Sequence, residues 1–320
     1  MLLNSLGELV LVALTVLFAL LVLLVFKSKR PLLKWGGAAL AALPTLLFGL
    51  LSVVIGIGLF KLYAPLNVPV PDVKVAGTPE QIARGENLAN AVCAGCHAPN
   101  GNVPLIGGLD LGQDSLAPVG NIVSLNLTLA GELKDWSDGE IMRALRNGAH
   151  KNGRPLLMPI NHLRNLSDDD MQSVIAYLCS QPAVQNPMPP TNPSLVLALF
   201  VGAGLAQMPL DLTPIQGAVV APPKAASPEY GAYLISFQDC RDCHDANLQG
   251  RSTAGLYPVS PPVLPYIRAW SQDAFIQTMR TGVAPSGYRI KGVMATQARQ
   301  LGKFDDIELA AMYQYLRSLK

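Results

Sequence analysis

Two pentapeptides, Cys93-Ala-Gly-Cys96-His97 and Cys240-Arg-Asp-Cys243-His244, constrain this chain more than any other feature. C-x-x-C-H is the attachment sequence of c-type haem (heme c): two thiols three residues apart add to the vinyl groups, and the adjacent imidazole binds iron. Two motifs imply two covalent haems, held by Cys93 and Cys96 with His97 and by Cys240 and Cys243 with His244. A fold that carries them must wrap a flat apolar group twice.

The surroundings of the motifs repeat in order. Gly85-x-x-Leu88 precedes the first motif as Gly231-x-x-Leu234 precedes the second. Trp136-Ser137 to Arg146-x-Gly148 matches Trp270-Ser271 to Arg280-x-Gly282 without a gap, and Ala176-Tyr177-Leu178 matches Gln314-Tyr315-Leu316. Such self-similarity marks two copies of one unit. Each copy reads as a helix before the motif, a middle helix and a final helix. Thr78-Pro79-Glu80 and Ser227-Pro228-Glu229 have the cap, N1 proline and acid of a helix start. Met171, Val174, Ile175 and Leu178 recur at helical spacing, as do Leu309, Met312, Tyr313 and Leu316. Residues 98–135 are rich in Gly and Pro and read as loop over a haem.

Other chemistries suit one motif alone. A redox dithiol needs a βαβ frame, which is not visible. A zinc site built from the four motif cysteines leaves both histidines unexplained. Cys179 reads as a buried core cysteine.

Half of the 320 residues are hydrophobic and 14% are charged. The imbalance is local, because the first 60 residues are nearly all apolar. Leu9 to Phe26 is long enough to span a bilayer, and Gly36 to Phe60 is a second span. Pro44 is placed to kink the second, and Gly49, Ser52 and Gly56 offer it a small-residue face. Lys27, Lys29, Arg30 and Lys34 lie between the spans, so this loop stays cytoplasmic and both ends face outward. No basic residue precedes the first span and no small-residue cleavage site follows it, so an uncleaved anchor is expected. Beyond residue 60 lie 20 basic and 21 acidic residues, which implies no field for nucleic acid. The net charge of −3 over residues 61–190 and +2 over 191–320 is too small to name a docking partner.

The expected organisation is a two-helix anchor (1–60), a linker with Pro65, Pro69 and Pro71 (61–77), a haem domain (78–181), a Pro-rich linker (182–226) and a second haem domain (227–320). The second linker holds an apolar stretch, Leu195 to Ala206, too short to span upright. Its partner, whether a domain, the membrane surface or another chain, is left open.

The repeated unit resembles class I cytochrome c. The resemblance implies a mainly α fold: two transmembrane helices followed by two class I cytochrome c domains. It also implies that first and last helices cross where a glycine meets an aromatic, here Gly85 with Tyr177 and Gly231 with Tyr315. The run Trp-Ser-Asp-Gly-Glu-Ile, Arg-x-Gly, Met-Pro, Leu-Ser-Asp-Asp-Asp and Ala-Tyr-Leu resembles cytochrome subunits of membrane-bound alcohol and aldehyde dehydrogenases. The layout is similar to the di-haem subunit of cbb-type oxidases.

The sixth iron ligand decides what such a haem does. Met158, followed by Pro159, and Met294 lie ten and twelve residues past the glycine ending the middle helix. Each is expected in a loop that folds over the haem. His150 and His162 are rivals in the first domain. Met279 and Met312 are alternatives in the second, but fit better as core. Trp136 and Trp270 read either as core aromatics or as indole donors to a haem propionate. Arg146 and Arg280 read as propionate partners or solvated side chains, and Pro118 and Pro262 mark loops whose carbonyl orients the axial histidine.

The expected function is electron transfer on the periplasmic side of a bacterial cytoplasmic membrane, within a respiratory or photosynthetic complex. Partners are the bilayer, other membrane subunits, and redox donor and acceptor proteins. No catalytic residue is assigned. The alternative is a di-haem peroxidase or oxidase with one open iron.

Overall fold

The computed structural model describes residues 2–98, 101–113, 117–158, 162–206, 215, 217–252 and 259–320, with the side chains of residues 2 and 3 excepted. The chain divides into two compact units. One comprises Met1–Pro65, Asp110–Ile122 and Pro190–Met208; the other comprises Leu66–Leu109, Val123–Pro189 and Pro209–Lys320.

Two helices open the first unit: α1 (Leu2–Phe26) and α2 (Pro31–Tyr63), with Pro44 inside α2. Both are long and apolar enough to cross a membrane. The small face expected on α2 meets α1. A Cβ on Gly49 would lie 3.4 Å from Thr15, and Ser52 donates to Glu8.

The second unit begins with the first haem-motif segment. Thr78 caps α3 (Pro79–Val92) in a reciprocal capping box with Gln81. Cys93 breaks the axis, and α4 (Ala94–His97) carries the rest of the motif. Ser137, paired with Glu140, caps α5 (Asp138–Asn147), and Gly148 ends it at φ 68°. Ser167 caps α6 (Asp168–Ser180). A Cβ on Gly85 would fall 1.9 Å from the Ser173 carbonyl and 2.7 Å from Tyr177 Cβ, so only glycine permits the α3–α6 crossing.

The chain then returns to the first unit. Residues 195–202 form a short helix, α7 (Leu195–Gly202), packed on α2. Cβ atoms on Gly58 and Gly202 would lie 1.8 Å from Ala198 O and 1.9 Å from Val54 O. The apolar stretch left without a partner by sequence is therefore covered by α2. Gly120–Asn121 pairs antiparallel with Asn192–Pro193 in the same unit, so part of the segment read as haem loop packs here instead.

The repeat resumes in the second unit with α8 (Pro228–Ser236), α9 (Cys240–His244), α10 (Leu264–Ala269), α11 (Gln272–Thr281), α12 (Gly292–Leu301) and α13 (Asp306–Ser318). A Cβ on Gly231 would fall 2.0 Å from Ala311 O and 2.8 Å from Tyr315 Cβ, repeating the first crossing. The two repeats share one continuous apolar core, from Leu88 and Ile175 to Phe237 and Leu309.

Candidate haem sites

Each motif histidine is held from behind by a backbone carbonyl. His97 Nδ1 lies 2.8 Å from the Leu125 carbonyl and His244 Nδ1 lies 2.8 Å from that of Pro261. A carbonyl only accepts, so Nδ1 carries the proton and Nε2 keeps its lone pair for a metal. Burial lowers the His97 pKa, which favours the neutral imidazole that ligation needs. The expected loop is corrected in the first site, while in the second the loop marked by Pro262 does hold the histidine. Pro118 O accepts instead from Ser194 Oγ within the first unit, and in the second motif the acceptor is Pro261, one residue before Pro262. The first loop makes its carbonyl available only after a long excursion, which a local proline signal does not measure.

All four motif cysteines are free and lie at buried or half-buried helix ends. Burial pushes the Cys93 and Cys240 thiols up to about 12, and raises those of Cys96 and Cys243. A redox dithiol works through its thiolate, so this environment opposes that reading. Among the described residues, no group of three metal-donor side chains includes these cysteines. The four-cysteine zinc arrangement is therefore not assembled.

Met158 is half-buried against the core, just after the Ala149–Pro155 bridge. Pro159 lies outside the described residues. The rivals are both engaged. His150 Nδ1 accepts from the Asn152 N–H while Nε2 lies 2.6 Å from Glu132 Oε1. His162 Nε2 lies 2.7 Å from Asp242 Oδ2. In the second repeat Met279 and Met312 are buried core residues. Met294 is half-buried but stands in the first turn of α12, not in the expected loop. Ala295, Gln297, Ala298 and Leu301 favour helix, and burial of Ala298 and Leu301 holds it.

Trp136 and Trp270 are half-buried against the core. Trp136 meets His150 edge-on with centroids 4.9 Å apart, and Tyr313 donates to the Trp270 carbonyl. Among the described residues neither indole N–H meets a protein acceptor. Both arginines are engaged by protein partners, Arg146 buried and Arg280 at the surface. Buried Arg146 donates to the carbonyls of Arg164 and Leu166 and pairs with Asp168 at 2.7 Å, while Arg280 donates to Gly302 O and pairs with Asp306. Both tie the middle helix to the start of the last one.

Sequence reasoning missed the contacts between the motifs. Gln300 of α12 lies against Gly95, between the first two cysteines, where a Cβ would fall 2.2 Å from its Nε2. Gln297 Nε2 donates to Asp239, the residue before Cys240, and Asp239 in turn raises the Cys96 thiol. The glycine between Cys93 and Cys96 was the available signal of close approach.

Comparison with known proteins agrees with this architecture. Residues 80–178 match the family described as cytochrome C oxidase, cbb3-type, subunit III, and residues 229–320 match cytochrome c. A nicotinate dehydrogenase subunit of Pseudomonas putida is 26% identical over 309 residues, 85% of this chain and 25% of the relative. The gluconate 2-dehydrogenase cytochrome c subunit of Pantoea cypripedii is 26% identical over 272 residues, 74% of this chain and 59% of the relative. The chain thus spans a quarter and about three-fifths of these relatives. With haem-motif helices, crossing glycines and carbonyl-held histidines in both repeats, the chain carries two cytochrome c domains in tandem.

Proposed function

We propose that this protein is a membrane-anchored di-haem cytochrome c that relays single electrons as the cytochrome subunit of a larger redox complex. The observation that carries the reading is the pair of carbonyl-held histidines, each beside two buried or half-buried cysteines in the same repeated frame. Cys93 and Cys96 would hold one haem and Cys240 and Cys243 the other, with His97 and His244 as axial ligands. Met158 and Met294 would supply the opposite ligands. When bound, such haems cycle between ferric and ferrous iron. The chain's own part is to bury them, fix both axial ligands and exclude water. Trp136 and Trp270 each keep an indole N–H for a propionate.

Anchoring rests on α1 and α2, whose leucines stand exposed around the pair, as lipid-facing side chains do (Leu9 64%, Leu40 79%). The basic loop between them supports a periplasmic location for the haem domains. The named relatives are subunits of dehydrogenases, which supports a dehydrogenase as host complex.

The purified chain should keep two haems after denaturation, and both irons should be six-coordinate. Met158→His should lower one potential and leave the other nearly unchanged, because imidazole favours ferric iron more than thioether does. Met294→His should do the converse. If Met294→Ala leaves both potentials unaltered, Met294 is not the ligand of the second iron. Cyanide binding to the unmodified oxidised protein would turn the reading towards the peroxidase-like enzyme.

A further inference from the structure

The small net charge of the second half hides a local segregation. Between Asp273 and Asp305 the chain carries Arg280, Arg289, Lys291, Arg299 and Lys303 and no acid. All five are exposed. Arg280 pairs with Asp306, but the other four meet no carboxylate among the described residues. Arg299 contacts Thr296 and Lys303 contacts Asn102, both neutral.

The local fold brings exposed basic and apolar residues into one short stretch. Gly282 turns the chain out of α11, and Val283 bridges Arg289 in a tight hairpin closed by Ala284 and Tyr288. Lys291 then stands at the N-terminal boundary of α12, with no side-chain cap. Tyr288 and Val293 stand 58% and 60% exposed, beside Arg289 and Lys291 and next to Met294.

The homologous segment of the first domain makes the contrast. Between Glu140 and Asp168 it also holds five basic residues and no acid. There Arg143 and Arg146 are buried, Lys151 lies 3.8 Å from Glu140, and Arg164 is also engaged. Arg154 alone remains at the matching hairpin. The same fold thus consumes the charge in one repeat and displays it in the other, so folding does not require the display.

We infer that residues 288–293 of the second domain form the docking surface for an acidic redox protein. The inference rests on the reading of Met294 as an iron ligand, which would put the entering or leaving electron beside this surface. A short stretch of exposed apolar side chains with charges of a single sign suits a transient contact that forms quickly and releases quickly. A protein is favoured over an anionic lipid surface because the apolar part is only two side chains and adjoins the proposed ligand.

The test uses the full haem-loaded chain in neutral phosphatidylcholine discs, with an acidic blue-copper protein as probe and rapid mixing as readout. The exchange rate should fall about tenfold or more from low salt to about 0.5 M salt. R289E/K291E should lose about tenfold at low salt together with most of the salt dependence, and R289Q/K291Q should fall between. R154E should stay within about twofold. Equal rates in wild type and R289E/K291E, or an equal loss in R154E, overturn the surface. So does exchange that phosphatidylglycerol discs abolish in wild type but not in the variant, because lipid then covers the patch. Haem count and spectra of each protein separate these outcomes from failure of the di-haem reading: a missing haem or open iron sinks that reading, whatever the rates.

Discussion

At the scale of single residues, the chain prepares its chemistry through hydrogen bonds that fix protons. His97 and His244 each give the Nδ1 proton to a carbonyl and turn Nε2 outward. His162 does the opposite. Its hydrogen bond to Asp242 raises its pKa, so the folded chain binds that proton more tightly than the unfolded chain does. Its contribution is complete below the ordinary value of about 6.5 and is lost as pH rises through the raised value. Burial pushes Asp239 up to about 6, so that carboxyl also favours the folded chain as pH falls below 6. Both groups act in one direction. The urea midpoint of the holoprotein should be higher near pH 6 than near pH 8.5, with His162→Gln removing much of the difference. A midpoint that is flat over this range would show that the pair does not hold the repeats together.

At the scale of elements, one helix crossing defines each domain. The geometry of both crossings is set by glycines whose Cβ would penetrate a facing carbonyl, at Gly85 and Gly231. Gly231→Val must force α8 off α13. Overpacking of this kind costs about 1–3 kcal/mol. The loss should appear as a lower denaturation midpoint for the second domain, with weaker retention of native-like haem spectra. The same substitution at exposed Gly287 has open space around it, although its φ of 82° adds backbone strain, so it should cost less. Equal losses at the two glycines would mean that the crossing is looser than its geometry implies.

At the scale of the molecule, the two haem-motif repeats are joined by a buried polar network. Arg84 grips Asp170 through Nε at 2.8 Å and Nη2 at 3.0 Å, and its Nη1 meets Glu308 of the other repeat. Tyr233 donates to Asp170 at 2.6 Å, and Tyr230 lies 3.3 Å from both Arg84 and Glu308. Arg84 and Tyr230 precede the repeat glycines, and Asp170 and Glu308 are the third residues of the last helices. Equivalent positions therefore meet each other across the join. Burial opposes the Arg84 charge, but Asp170 and Glu308 more than offset it and raise its pKa. Arg84→Met leaves Asp170 without its cation and Glu308 with Lys224 alone, at 3.7 Å, a loss of about 3–5 kcal/mol where a buried pair is broken on one side. Calorimetry should then resolve two unfolding transitions in the soluble part in place of a coupled one. A single unshifted transition would place the coupling elsewhere, in the apolar core that the repeats share.

What the sequence determined by itself was everything written in short-range pattern. The two C-x-x-C-H motifs, the caps at Thr78 and Ser227, the stop glycines Gly148 and Gly282, and both long apolar helices need only neighbouring residues to declare themselves. The repeat added the crossings, because a glycine and an aromatic recur at matching places. Only the tertiary structure decided which carbonyl holds His97, that α12 is helical and lies over Gly95, that residues 195–202 pack on α2, and that Arg84 bridges the repeats. Each of these joins residues far apart in the chain. A backbone carbonyl or an apolar helix face carries no signature of its distant partner until folding brings the two together. Charge follows the same logic: five basic residues stand in each homologous stretch, and only the fold shows that four of the first set are engaged while four of the second face solvent with no carboxylate partner among the described residues.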